Sequence, residues 1–230
     1  MKIIPKSRSN RQDDNEMLYP IEKNYWKENK IICGIDEAGR GCMAGPVVIA
    51  AAILNPNIDH DYLIDSKKLN LNQLEFMYNW LLDKCIFSVS IASPRIIDKH
   101  NIYQTTVKQM RSALLHLFEQ SKKPDLIAID AMPLKLENTP YSEIEIISMT
   151  QGESKSKSIA AASIIAKVTR DNIMKRLEKS FPGYGLAQHK GYCTKIHQSS
   201  TISLKPTVIH RTSYLTWLNG DDSHGQRSIM

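Results

Sequence analysis

The sequence predicts an α/β chain, a mixed β-sheet with helices packed on its faces. Three features carry this reading. Two apolar runs, 31–35 and 47–54, lie close together. Further on, segments of helical period alternate with short apolar runs. Strands joined directly at first, and through helices later, fit a mixed sheet covered by helices.

Taken in order, residues 1–29 are polar and charged and read as an extension. It ends in a short helix near 22–28, with Tyr25 and Trp26 available to dock on the domain. Residues 31–35 read as the first strand, closed by the carboxylates of Asp36 and Glu37. Residues 47–54 are apolar throughout, as in a strand buried on both faces. The short link between these two favours antiparallel pairing. Leu71, Leu74, Met77, Tyr78, Leu81 and Leu82 recur with helical period over 71–84. Residues 86–91 alternate apolar with small or polar side chains, the pattern of a half-buried strand. A helical region in two pieces covers 94–120, and its second piece carries Val107, Met110, Leu114, Leu117 and Phe118 on one face. A compact strand at 126–129 ends at Asp130, and another follows at 144–147. Residues 158–179 read as a helix, alanine-rich at its start. Pro182, Gly183 and Gly185 mark a loop, and 186–199 adds a loop and a short helix. The domain organisation expected is an extension over 1–29, one domain over 30–218 and a flexible tail over 219–230.

The chain has 230 residues, 42% of them hydrophobic, enough for a sizeable core. Its net charge is +6, unevenly spread. Residues 151–211 hold eleven Lys or Arg against three Asp or Glu, a local +8, which leaves −2 for the rest. A basic half beside an acidic strand suits a polyanion that brings its own cations. The cysteines, Cys33, Cys42, Cys85 and Cys193, form no C-x-x-C, which argues against a zinc site or a disulfide framework. A reducing, cytoplasmic setting is expected. No secretory h-region and no apolar run of membrane-spanning length is present. The seven histidines lack metal-ligand spacing. P-loop, dinucleotide and G-x-S-x-G elements are absent.

The chemistry concentrates at Asp36 and Glu37, directly followed by Gly39, Arg40 and Gly41. Mg²⁺ takes oxygen ligands and is usually held by a few carboxylates plus substrate phosphate. Neighbours on a strand face opposite ways, but at a strand end the alternation relaxes. Both acids are therefore expected to serve one site or two nearby metals. Glycines allow the backbone to approach a substrate closely. Together these features point to cleavage or transfer at a phosphate with hard divalent cations. Asp130 also ends a strand. It meets Asp36 if the two strands are neighbours, and otherwise is a loop-capping Asp.

The run GIDEAGRGCMAGPVVIAA, residues 34–51, resembles the opening motif of the bacterial ribonuclease HII family. The resemblance continues in Asp65-Ser66-Lys67-Lys68-Leu69, in SIAAASIIAKVTRD (158–171), in HKGYCT (189–194) and in His210, Arg211 and Ser213. It implies the ribonuclease H-like fold, a five-stranded mixed sheet flanked by helices with a helical C-terminal region. It also implies an endoribonuclease that cuts RNA in RNA–DNA hybrids and nicks 5′ of ribonucleotides embedded in duplex DNA, leaving 5′-phosphate and 3′-hydroxyl ends.

Residue by residue, the resemblance assigns catalysis and metal binding to Asp36, Glu37, Asp130 and a fourth acid. The family usually has Lys-Gly-Asp there, and this chain has Gln151, Gly152 and Glu153. Glu153 is thus the expected fourth ligand, with capping of the next helix as its alternative role. Asp171, beside Arg170, is expected in a structural ion pair. Gly39, Arg40 and Gly41 would meet the ribose 2′-hydroxyl, and Tyr192 the adjoining sugar. Independently of the resemblance, Arg40, Lys67, Lys155, Lys157 and Lys190 are candidates to hold phosphates, with Ser66 as an added hydroxyl contact; the alternative for each cation is a solvated surface charge, and Arg40 and Lys67 stand out by lying in the motifs. The cofactor implied is Mg²⁺ or Mn²⁺, two ions with substrate bound. The partners implied are RNA–DNA hybrid and DNA duplex containing ribonucleotides, with no membrane and a monomeric enzyme. Two rivals stand beside this reading. One is a ribonuclease HIII-like hybrid nuclease, for whose N-terminal platform about thirty polar residues are too few. The other is a catalytically impaired nucleic-acid-binding relative, with Glu153 as the sign of damage.

Overall fold

A computed structural model of the chain describes residues 20–219, apart from positions 57, 59 and 122. The extension expected over 1–29 therefore lies outside the described residues up to position 19, and the tail over 219–230 does so from position 220. The elements are α1 (Pro20–Lys27), β1 (Ile32–Ala38), β2 (Val47–Leu54), α2 (Leu71–Leu82), β3 (Cys85–Ala92), α3 (Pro94–His100) and α4 (Ile102–Gln120). Then follow β4 (Leu126–Asp130), β5 (Glu145–Met149), α5 (Lys157–Ser180), α6 (Leu186–His189) and α7 (Lys195–Leu204).

The five strands form one mixed sheet in the order β3-β2-β1-β4-β5. β1 pairs antiparallel with β2, as its short link to it requires, and parallel with β4. Strand alternation sorts the sheet's side chains onto two faces. Val47, Ile49, Ala51 and Ile53 of β2 join Cys33, Ile35, Ile127 and Ile129 under α4, against Met110, Leu114, Leu117 and Phe118. Val48, Ala50, Ala52 and Leu54 face the other way, onto α5 and α2. Burial of one such Leu or Ile contributes about 1.5–3 kcal/mol.

Small side chains let α5 settle very close to β1. A Cβ on Gly34 would lie 2.0 Å from the Ser158 carbonyl carbon. This contact, with the alanine run Ala160, Ala161 and Ala162 at 0% exposure, seats the start of α5 on the middle of β1, with Ile159 against Ile32, Leu126 and Ala128, so that Ser163 further along the helix reaches Asp36. The α5 N-terminus is fixed twice. Ser156 caps it by accepting from the Ile159 amide at 3.2 Å. Glu22 of α1, itself buried, accepts from Ser156 Oγ at 2.6 Å and from the Ser158 amide at 3.0 Å. Trp26 and Tyr25 pack on the sheet's α5 side, as the sequence leads one to expect.

One boundary changes the chemistry. β1 does not stop at Ile35 but runs through Ala38, because β2 continues to pair with it at Asp36↔Ala50, Glu37↔Ile49 and Ala38↔Val48. Asp36 leaves on the α5 side of the sheet, and Glu37 follows where the pairing with β4 has already ended, close enough to Asp130 for that charge to act on it.

Candidate active site

The parallel pairing of β1 and β4 ends at Ile35↔Ile129. The next residue of each strand is an aspartate, Asp36 and Asp130, and both follow the alternation to the α5 side. Between β5 and α5 a 3₁₀ turn, Gly152–Ser154, carries Glu153 to the same place. The Gly152 amide donates to Asp130 Oδ1 at 2.9 Å, which ties this turn to the second aspartate. As a result Asp36, Asp130 and Glu153 each present a carboxylate oxygen within 4.8 Å of the others. Glu153 does not cap α5; Ser156 does. The extra methylene of Glu153 leaves its carboxylate within the group.

Three carboxylates at this distance repel one another. Burial holds the Asp36 carboxyl well above the usual range, and the charges of Glu37 and Glu153 act in the same direction. Glu153 is pushed up to about 7, first by burial and then by its hydrogen bond with the Asp65 carboxyl. Asp65 is lowered chiefly by that same bond. Lys67 Nζ lies 3.2 Å from Glu153 Oε1, although its side chain is mostly exposed.

Glu37 stands outside the three-acid group. Its Oε1 pairs with Arg40 Nη1 at 3.1 Å, and its Oε2 is buried with no hydrogen-bond partner. Burial raises its pKa, Arg40 opposes the rise, and the nearby charge of Asp130 adds to it. An orphaned buried oxygen beside three crowded carboxylates is a donor set suited to a hard divalent cation. The residues present thus fit Mg²⁺ or Mn²⁺.

The other expected contacts divide. Gly39 has φ +93°, and a Cβ there would meet Arg170 Nε at 1.9 Å, so only glycine fits. Gly41 has open space where its side chain would be. Arg40 and Tyr192 are partly exposed next to this loop, and the Arg170 guanidinium lies 6.0 Å from the Tyr192 ring centroid. The Ser66 hydroxyl, expected on substrate, is buried and hydrogen-bonded to Ser163 Oγ at 2.9 Å. Lys155 Nζ donates to the Thr150 carbonyl at 2.7 Å and Lys190 Nζ to that of Ala187. Lys157 is buried. These three are not arrayed as a free phosphate-binding row. Asp171 does form an ion pair, but with Lys167 at 2.8 Å and not with Arg170.

Sequence reasoning missed several residues. Ser163 Oγ donates to Glu153 Oε1 at 3.1 Å and also supports Asp36. The signal was a serine inside a buried alanine–isoleucine run, where an unpartnered hydroxyl is costly. Asp65 is a partner of Glu153, and nothing in a single Asp before Ser-Lys-Lys announces it. Arg170 and Arg211, 1% and 0% exposed, hold the backbone of the 39–46 loop. Arg170 follows the apolar run 159–166 in a helix that also carries Lys167, Asp171, Lys175 and Arg176, so its burial had no local mark.

The comparisons with known proteins agree with this geometry. The family described as Ribonuclease HII matches residues 33–217. A Ribonuclease HII of Cytophaga hutchinsonii is 42% identical over 192 residues, 83% of this chain and 92% of that one. Another from Acetivibrio thermocellus is 44% identical over 200 residues, 86% and 75% of the two chains. Among solved structures, the RNase HII of Archaeoglobus fulgidus, determined in complex with PCNA, superposes with a TM-score of 0.64. It is 26% identical and covers 79% of this chain and 94% of that one.

Proposed function

Because the chain belongs to the ribonuclease HII family of ribonuclease H-type endoribonucleases, we propose that it hydrolyses RNA in RNA–DNA hybrids and nicks duplex DNA 5′ of an embedded ribonucleotide. The products would carry 5′-phosphate and 3′-hydroxyl ends. The observation that carries this reading is the meeting of Asp36, Asp130 and Glu153 beside a loop opened by Gly39 and Gly41.

Asp36, Asp130 and Glu153 would hold Mg²⁺ or Mn²⁺, with Glu37 Oε2 completing the set when substrate is present. Divalent cations bound there supply the charge that activates water and offsets negative charge on the phosphate. The chain's own residues do the rest. Ser163 and Lys67 fix one Glu153 oxygen, and the Gly152 amide fixes one Asp130 oxygen. Arg40 orients Glu37. Gly39, Arg40 and Gly41 present backbone to the ribose 2′-hydroxyl, the group that separates RNA from DNA. Tyr192 packs on the adjoining sugar, and the exposed head of Lys67 lies where a phosphate would approach. Ser66 acts through Ser163.

The test is a duplex bearing one ribonucleotide, offered to purified protein with Mg²⁺, with Mn²⁺ and with EDTA. A cation-dependent nick on the 5′ side of the ribonucleotide is expected. Intact substrate under every condition, or equal cutting of all-DNA duplex, would refute the reading.

A further inference from the structure

Two buried guanidiniums lie directly behind the 39–46 loop, and among the described residues neither has a carboxylate partner. Both are directed at main-chain oxygens instead. Arg170 donates to the carbonyls of Pro46 (2.9 Å), Ala44 (3.1 Å) and Lys190 (2.8 Å). Arg211 donates to Gly39 (2.7 Å), Arg40 (2.8 Å) and Gly45 (3.1 and 3.0 Å). Tyr214 Oη adds a bond to the Arg40 carbonyl at 3.0 Å. Burying a charge without an acid is costly, so the carbonyls must be well placed.

The Arg211 contacts have a geometric result. A trans peptide is planar, and its C=O and N–H point in opposite directions. Drawing the Gly39 and Arg40 carbonyls inward turns the amide N–H groups of Arg40 and Gly41 outward. Among the described residues those two amides donate to no protein acceptor. They open beside Gly41, where no atom lies within 4 Å of a would-be Cβ. Hydrogen bonding of a carbonyl to a cation also polarises its amide and strengthens the outward donor.

We propose that Arg211 is a specificity-determining positioning residue, which aims the Arg40 and Gly41 amides at the ribose 2′-hydroxyl without touching substrate. This rests on the ribonuclease HII reading given above. Lysine keeps the charge but lacks the planar fork that holds several carbonyls at once. The test compares wild type with Arg211→Lys by fluorescence anisotropy, in EDTA so that nothing is cut. The readout is the ratio of Kd for all-DNA duplex to Kd for the same duplex with one ribonucleotide. A purely structural role lowers thermal stability but leaves that ratio alone. The ratio is expected to fall about tenfold in Arg211→Lys, with affinity for all-DNA duplex within about twofold of wild type. A folded Arg211→Lys protein with the wild-type ratio would overturn the proposal. If that variant does not fold, Tyr214→Phe removes one donor from the Arg40 carbonyl and should lower the ratio about threefold; an unchanged ratio there overturns it equally. Wild-type protein with a ratio of one and no nicking would bring down the family-based reading along with the proposal.

Discussion

Asp36 carries the heaviest load of any side chain at the site. It is 4% exposed, and burial plus two neighbouring acids already disfavour its charge. Asp36→Asn keeps shape and removes the charge. Cleavage should drop roughly a thousandfold or more while the protein stays folded; retained turnover in that variant would remove Asp36 from the machinery. Glu153 makes a different prediction, about pH. Its folded-state pKa, about 7, is above the ordinary 4.5. A raised carboxyl favours the folded state below the ordinary value, and that contribution is lost as pH rises through about 7. The cation-free protein should therefore melt at lower temperature at about pH 8 than at about pH 5.5, and Glu153→Gln should flatten the trend. Calorimetry in EDTA at the two pH values checks this, and an equal slope in the variant contradicts it. The resemblance singled out Asp36, Asp130 and Glu153, and these three carboxylates do lie within 4.8 Å of one another. The roles of Ser163, Asp65 and Arg211 were not legible in the sequence, because each depends on a contact across tens of residues that no local pattern records.

The close seat of α5 on β1 turns these separate acids into a site. Gly34 permits that seat, since any Cβ there would overlap the Ser158 backbone at 2.0 Å. Gly34→Ala should destabilise the fold by about 2–3 kcal/mol, read from the shift in denaturant midpoint; a neutral result would show that α5 is free to move outward. α1 supports the N-terminus of the same helix. Glu22→Ala removes the acceptor for Ser156 Oγ and the Ser158 amide, and should cost about 1.5–3 kcal/mol by the same measurement. The helices and strands up to residue 180 were readable from periodicity, including the division of the 94–120 region, which falls at Asn101, whereas 186–199, read as a loop and a short helix, begins with the helix Leu186–His189 and ends inside a second, Lys195–Leu204. The end of β1 was not readable. Acidic residues after an apolar run look like a strand end, yet β2 supplies ladder partners as far as Ala38. Pairing with a neighbour, and not local polarity, set that boundary.

The whole molecule joins a mixed sheet to a basic C-terminal half. Alternation in strands and period in helices made the α/β architecture legible. The neighbour relation of β1 and β4 was not, because parallel pairing leaves no mark in either strand's own sequence. If the excess of Lys and Arg over 151–211 tracks a duplex, affinity should fall linearly in log–log terms as salt rises. Binding indifferent to salt would leave that charge as ordinary surface. The most direct test of the site is titration of Mn²⁺ into wild type and Asp130→Asn, followed by paramagnetic resonance and read beside nicking of the one-ribonucleotide duplex. Wild type should bind Mn²⁺ and nick, and Asp130→Asn should lose both together while remaining folded. Undiminished Mn²⁺ binding and nicking in the folded Asp130→Asn protein would contradict a shared cation site built from Asp36, Asp130 and Glu153.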